Sequence, residues 1–308
     1  MPAPFPIDPH LTGIAIAYHN EGLIADSVLP RVSVGKESFK YQEYNLADNF
    51  TLPDTRVGRK SEPNQVEFGS TEKTASTEDY GLDDLIPYSD IANASENQDP
   101  EGQAVESLTN LIELSREVRT ASVVFNASSY AASNINTLSG TSQFSDYANS
   151  DPIRIITEAL DSMIMRANVM TLGREVYSKL SRHPLIVKAF HGNSGDSGIV
   201  TRQFLAELFE LDEVLVGSSR LNISKPGQSP TLNRVWGKHI SLTYRDSQAN
   251  TRNGTTFGFT AQFQDRVAGS MPEPTKGLRG GTLVRSGESV KELVVAKDLG
   301  YFIQNAIA

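Results

Sequence analysis

One stretch limits what this chain can become. The run from Asp99 to Tyr130 reads as a single long helix. Asp99 can cap its first turn, and Pro100 suits the first helical position, where a missing N–H is no loss. Val105, Leu108, Leu111, Ile112, Ser115, Val118, Ser122 and Phe125 recur at three- and four-residue steps and predict a buried face. Glu106, Asn110, Glu113, Glu117 and Arg119 fall on the side expected to stay wet. At ~1.5 Å per residue such a helix runs ~40–45 Å, longer than most globular domains need. It suits a scaffold across which other layers lie. The competing reading is an ordinary core helix broken near Gly102 or within Asn126–Ser129.

With 308 residues the chain can build one large core or two modest domains. No apolar run approaches the ~20 residues of a bilayer-spanning helix. Met1-Pro-Ala-Pro-Phe-Pro lacks the basic-then-apolar order of a secretory signal. The absence of cysteine excludes disulfides and thiolate metal sites. A net charge of −9, with Lys and Arg scattered, gives no phosphate-neutralising surface. An acidic protein can still live beside DNA, since mild repulsion keeps the polymer from sticking.

The chain ahead of the long helix offers no obvious core of its own. Residues 1–34 are proline-rich, with a helical stripe only over Leu11–Tyr18 and short apolar groups at Gly13–Ala17 and Leu23–Leu29. They read as an arm that lies on something else. Residues 35–80 are polar, strand-like and full of breakers. Phe39–Tyr44 and Gln65–Phe68 alternate with period two, and the turn-rich Leu52–Asn64 lies between them. This predicts a long two-stranded hairpin. A lone hairpin is marginal in water, so neighbouring copies of the same protein are expected to stabilise this leading third.

Beyond the long helix, Ser133–Asn149 reads as a polar connection anchored by Phe144 and Tyr147. Asp151-Pro152 starts a second helix with Ile153, Ile156, Leu160, Met163, Ile164 and Ala167 on its face. Val169–Leu172 suits a buried strand, and Gly173–Ser181 a helix stopped before His183-Pro184. Thr201 can cap a further helix carrying Phe204, Leu205, Leu208 and Phe209, with a strand following at Glu213–Gly217. Val235–Tyr244 and Thr255–Phe263 read as strands around a polar loop, Asp246–Gly254. Met271–Gly281 is a turn-rich link. Thr282–Arg285 and Ser289–Ala296 read as a hairpin around Ser286-Gly287, and Gly300–Ile307 as a closing strand. Helices alternating with strands make an α+β protein, or an α/β core after the long helix.

Catalytic signals are weak. Gly195-Asp-Ser-Gly198 is the tetrapeptide around the nucleophile of trypsin-like proteases, but helical segments precede it, and His183 and His191 sit in loop-like context. A Gly/Ser/Asn turn over His191–Gly198 is the better reading. Gly237-Lys238 lacks the remainder of a phosphate loop. The five histidines never pair at metal-ligand spacing. Asp83-Asp84 and the acidic group at Glu207, Glu210, Asp212 and Glu213 fit no calcium loop. Trp236 suits a core or interface anchor. No enzyme, cofactor or metal site is expected.

Leu11-Thr-Gly-Ile-Ala-Ile-Ala-Tyr-His-Asn, Leu23-Ile-Ala-Asp-Ser-Val-Leu-Pro-Arg-Val, Thr137-Leu-Ser-Gly-Thr, Ser145-Asp-Tyr and Asn149-Ser-Asp-Pro form an ordered set. Val169-Met-Thr-Leu-Gly, His183-Pro184, Phe204-Leu-Ala-Glu-Leu-Phe, Trp236-Gly-Lys and Gly300-Tyr-Phe-Ile complete it. In these the chain resembles tailed-phage major capsid proteins of the Hong Kong 97-type fold, most closely the major head subunits of Mu-like transposable phages. The resemblance spans nearly the whole chain. It implies an N-terminal arm (1–34), an extended E-loop (35–80) and a P-domain with the long spine helix (81–132). A largely axial A-domain (133–267) and C-terminal strands returning to both domains (268–308) follow.

It further implies hexamers and pentamers closing an icosahedral shell around phage double-stranded DNA, which the inner face would meet without sequence-specific binding. The protein would be a virion component assembled in the bacterial host cytoplasm, with no membrane partner. No helical, charged segment stands before the arm, which points to a separate scaffolding protein and no cleavage of the subunit. A portal, with decoration or minor capsid proteins, would complete the partners. Candidate inter-subunit contacts are Arg56, Arg59, Lys60 and Glu62 at the hairpin tip, Phe39 and Tyr41 on its strand, and Ile14, Ile16, Leu23 and Ile24 in the arm. The alternative within the same fold is an encapsulin-like compartment holding a cargo enzyme.

Overall fold

The computed structural model describes residues 5–44, 50–65, 70–95, 98–192, 195–225, 227–246, 248–249 and 254–308. Its elements begin with α1 (Pro9–Ala17), α2 (Ala25–Val28), β1 (Arg31–Val34), β2 (Ser38–Tyr44), β3 (Ser70–Ser76) and β4 (Glu78–Pro87). The short α3 (Tyr88–Asn93), the long α4 (Pro100–Val124) and β5 (Ile135–Thr137) come next. Then follow α5 (Pro152–Ser162), β6 (Val169–Gly173), α6 (Arg174–Leu180), α7 (Pro184–His191) and α8 (Arg202–Phe209). The chain closes with β7 (Glu213–Gly217), β8 (Arg220–Asn222), β9 (Leu232–Arg234), β10 (Ile240–Thr243), β11 (Gly258–Glu273), β12 (Gly281–Val294) and β13 (Gly300–Gln304).

The long helix starts as its sequence dictates: the Asp99 carboxylate accepts from the Gly102 N–H, and Pro100 follows it. It ends earlier than its apolar stripe suggests. The Ser129 hydroxyl donates to the Val123 carbonyl at 2.7 Å and the Tyr130 hydroxyl to the Val124 carbonyl at 2.6 Å. Two carbonyls orphaned by the helix end are thereby satisfied, and the chain can turn away. Twenty-five residues give a rod of ~37 Å.

Its buried face also differs from the expected stripe. Leu111 is 51% exposed, and Ser115 and Ser122 face solvent. Thr109, Glu113, Arg116, Glu117 and Thr120 are buried instead, alongside Val105, Leu108, Ile112, Ala121 and Val124. The three- and four-residue period is intact but rotated, so that charged groups point inward.

Two sheets organise the rest. A four-stranded sheet has the order β1-β11-β12-β4, with α4 lying on one face and the Thr109 and Ser286 hydroxyls 3.1 Å apart. A five-stranded sheet has the order β5-β13-β10-β6-β7, in which β6 runs parallel to β7 and antiparallel to β10. Its alternate residues enter two different cores, as strand geometry requires. Met170, Leu172, Val214, Val216, Ile240, Leu242 and Ile303 pack with α5, α6, α7 and α8. Val169, Leu215 and Phe302 point the other way, toward Ala121 and Val124 of α4 and Trp236. There Tyr130 stacks between Phe257 and Phe302, with each centroid 5.1 Å away.

Several expectations give way. The segment Thr282–Ala296 is no hairpin. Ser286 and Gly287 sit inside the continuous strand β12, opposite Leu82 and Gly81 of β4. A Cβ on Gly287 would lie 3.0 Å from the Tyr80 carbonyl, so the glycine serves close strand approach rather than a turn. β11 runs on to Glu273, and of Val235–Tyr244 only Ile240–Thr243 is strand. His183-Pro184 ends α6 as read, but the proline at once starts α7. In α5 Ile155 and Ala159 join Ile156 and Leu160 inside, whereas Ile164 is exposed. The partner strand of β2 is Ser70–Ser76. The strand expected over Gln65–Phe68 falls outside the described residues beyond Gln65, as do parts of the loops at Asp246–Gly254 and His191–Gly198.

The arm needs the largest correction. Residues 5–34 have a surface to fold onto within their own chain. Leu11 and Ala15 of α1 are buried against Val105 and Leu108 of α4, Ala268 of β11 and Val284 of β12. The Thr12 hydroxyl donates to the Ala268 carbonyl and accepts from its N–H. β1 adds in parallel to β11, pairing Arg31 with Thr260 through Val34 with Phe263. These partners stand some 90 to 250 positions downstream, beyond the reach of any local pattern.

Candidate functional site

The buried charges of α4 are where the arm is held. Six side chains alternate in sign: Glu113, Arg266, Glu288, Arg31, Asp26 and Arg116. Arg266 reaches Glu113 at 2.7 Å and Glu288 at 3.1 Å. Arg31 reaches the same Glu288 oxygen and Asp26, each at 2.8 Å, and Arg116 closes the series on Asp26. Arm, helix and both long strands each contribute a member, so none can leave without orphaning a buried charge. The guanidiniums also reach backbone. Arg266 donates to the carbonyls of Ala15 and Tyr18, and Arg116 to that of Leu29.

Burial pushes the Asp26 carboxyl up, but Arg116 and Arg31 overcome it and hold the group below its ordinary value. Burial likewise pushes the Glu288 carboxyl up, and Arg31 and Arg266 overcome it and hold the group below its ordinary value.

Glu117 forms a second hub one turn along. Its carboxylate accepts from the N–H groups of Ile24 and Ala25 at 3.0 and 2.8 Å, capping α2 of the arm. It also accepts from the Ser219 hydroxyl and the Trp236 indole N–H. One buried carboxylate therefore ties the arm to the segment following β7. Gly217 makes room for that indole: a Cβ there would stand 2.0 Å from Trp236 Cδ1.

The hairpin is built differently. At its root, Phe39 is 9% exposed and packs with Val34, Phe259 and Ala261, with Tyr41 partly covered beside it. Along the ladder, Lys40 pairs with Glu72 and Lys73 with Glu43. Beyond, residues 51–65 are exposed, Leu52 at 87%. Arg56, Arg59, Lys60 and Glu62 lie there, and none forms an ion pair with another described residue.

The structure thus separates the ten candidate contact residues. The four tip residues have no ion-pair partner among the described residues, and Ile16 is 54% exposed. Phe39 belongs to the chain's own core, Ile14 packs on the α1–α4 cluster and Ile24 on the cluster around Trp236. Leu23 and Tyr41 are half-buried. Sequence reasoning missed Asp26, Arg31, Glu113, Arg116, Glu117, Arg266 and Glu288. The available signal was the charged residues recurring at helical spacing within the otherwise buried stripe of α4.

Ser197 stands exposed, with no hydrogen bond joining it to His183 or His191. Buried His183 accepts the Leu185 N–H at Nδ1, so Nε2 carries the proton toward Ser150, whose own hydroxyl donates to the Asp146 carbonyl. That tautomer is wrong for drawing a proton from the serine.

No family model matches the chain. The major capsid protein of Pseudomonas phage JBD67 is 60% identical over 306 residues, 99% of either chain. That of Burkholderia phage BcepMu is 31% identical, covering 96% of this chain and 95% of its own. The chain belongs to the phage major capsid proteins. Among solved structures, a phage-related protein from Bordetella bronchiseptica RB50 superposes on this capsid protein with a TM-score of 0.75 at 20% identity, covering 99% and 98% of the two chains. The capsid of cyanophage P-SCSP1u gives 0.60 at 10% identity, covering 94% and 89%. The protein is a virion component and a major capsid subunit, and the cargo-compartment alternative is not favoured. Its relatives are structural proteins.

Proposed function

We propose that this capsid protein builds its shell through the Hong Kong 97-type plan. Residues 1–34 act as the arm, 35–80 as the E-loop, α4 with the four-stranded sheet as the P-domain, and the five-stranded sheet with its helices as the A-domain. Subunits form hexamers and pentamers that close an icosahedral shell around double-stranded DNA. A separate scaffolding protein guides assembly, and a portal occupies one vertex. The acidic balance of the chain keeps packaged DNA from adhering to the wall.

The observation that carries this reading is the contrast between the two leading segments. The arm is fixed in its own subunit by buried charge pairs, whereas the hairpin leaves the core after Phe39 and ends in exposed Leu52 and Val57 beside cations that pair with no other described residue. A surface of that kind is stabilised by a neighbour. Exposed ion pairs are worth under ~1 kcal/mol each, but a shell repeats them in every subunit. Reversing two of them, Arg56→Glu with Arg59→Glu, should leave soluble subunits of normal helix content and impair closed particles, as seen by sedimentation and electron microscopy. Normal shells from the double variant would remove the tip from the assembly mechanism.

A further inference from the structure

The long helix α4 carries apolar residues on two opposite faces, and the four-stranded sheet covers only one of them. The outer face repeats Ser107, Leu111, Leu114, Ser115, Val118 and Ser122 at three- and four-residue steps over ~22 Å. Leu111 and the three serines are exposed, and Leu114 and Val118 are half-buried. Neither leucine nor the valine joins a buried apolar cluster of the described residues. A helix with an uncovered stripe of this kind is built to receive a partner.

The polar members of the stripe are prepared for cover too. The Ser115 hydroxyl accepts from the Arg119 guanidinium at 3.0 Å, and the Ser122 hydroxyl donates to the Arg119 carbonyl at 2.7 Å. Both are bonded within their own helix, so an approaching apolar surface leaves neither without a partner. Arg119 itself is held by Glu292 at 3.1 Å and lies over Tyr80, 3.6 Å from its ring centre. Its charge is thereby drawn toward the sheet and away from the stripe.

The order of the six residues points to what covers them. It reads nearly the same in either direction about a point between Leu114 and Ser115. Turning a second copy by half a turn about that point brings Leu111 opposite Val118 and Ser107 opposite Ser122, and sets the two Ser115 side by side. This antiparallel arrangement opposes the helix dipoles and keeps the two Arg119 residues ~13 Å apart along the axis. A parallel one would align the dipoles and bring the two guanidiniums together.

We infer that α4 packs antiparallel on α4 of a second copy across a two-fold axis, through Leu111, Leu114 and Val118. The contact is isologous, so it joins subunits in pairs and builds no ring by itself. In a shell of five- and six-membered rings it links one ring to the next, and in that it rests on the shell reading above. One helix pair over ~22 Å falls short of the ~1,200 Å² that a free-standing complex needs, so the pairing belongs to assembled particles.

The absence of cysteine makes the test direct. Particles carrying Ser115→Cys are treated with a mild oxidant before denaturing electrophoresis. The inference predicts linked dimers, and nothing larger, from that single substitution. Ser107→Cys and Ser122→Cys should each stay unlinked alone, with their like ~22 Å away, and should link when combined in one chain. Charge supplies a second readout. Leu111→Lys and Val118→Glu should each lower the yield of closed particles about tenfold, and the double variant, which sets opposite charges across the axis, should recover most of it. Helix content of each variant separates loss of pairing from loss of fold. Particles whose Ser115→Cys chains stay unlinked would overturn the pairing and leave the shell reading standing. Linking of Ser107→Cys alone would overturn the antiparallel register, and a covalent product with a different protein would give the stripe to that partner instead. Unmodified protein that never forms particles would overturn both readings.

Discussion

Glu117 offers the sharpest energetic test of how the arm is held. Replacing it with alanine leaves four donors without their acceptor: the Ile24 and Ala25 N–H groups, the Ser219 hydroxyl and the Trp236 indole N–H. Ser219 can rotate toward another acceptor, and the half-buried Ile24 N–H can approach water. Ala25 and Trp236 are buried and have no such escape. A buried donor left unsatisfied costs ~1–3 kcal/mol, so those two set a loss of ~3–4 kcal/mol once relaxation is allowed. Glu117→Gln keeps one carbonyl acceptor and should lose about half as much.

The chain contains one tryptophan, and it lies at the hub. Urea unfolding followed by Trp236 emission therefore reads the site without labels. Proteolysis within 18–24 reports release of the arm. The expected result is a lower midpoint and an arm cut faster in Glu117→Ala, with Glu117→Gln between it and the parent. An alanine variant within ~0.5 kcal/mol of the parent, with unchanged emission, would refute the hub.

Acid should loosen the same contact. Asp26 and Glu288 both titrate lower in the folded protein than in the free chain. Their stabilisation is therefore fully present above the ordinary carboxylate range, near pH ~4, and is lost as pH falls through the depressed folded values. Arm proteolysis should be flat from neutral pH to that range and rise below it, using an acid-tolerant protease. Asp26→Asn should release the arm more readily at neutral pH and flatten much of the acid response. Phe39→Ala should cost ~3–4 kcal/mol locally, seen as faster hydrogen exchange in β2 and β3 while the amides of α4 stay protected.

What could be read from sequence was whatever nearby residues determine. The Asp99-Pro100 start of α4, the Asp151-Pro152 start of α5 and the Thr201 cap of α8 are all local devices. The strands β6 and β7 were legible because buried apolar runs bounded by helices have few other uses.

The misreadings share a physical cause. Glu113 and Glu117 looked solvated because their partners, Arg266 and Trp236, are distant in the chain. Leu11 and Ala15 seemed homeless for the same reason, since β11 and β12 complete their core. Ser286-Gly287 mimicked a turn because glycine serves close strand approach as readily as a reversal of direction. Of the candidate contacts, the tip residues were legible as exposed, but the burial of Phe39 was not, because Phe259 and Ala261 of β11 complete its core.

Electron microscopy of the purified protein at high concentration tests the central claim most directly. The account predicts closed shells whose walls resolve into rings of five and six copies, with each hairpin lying over the next subunit. A compact monomer that stays monomeric under those conditions, with the hairpin folded back on its own chain, would contradict it.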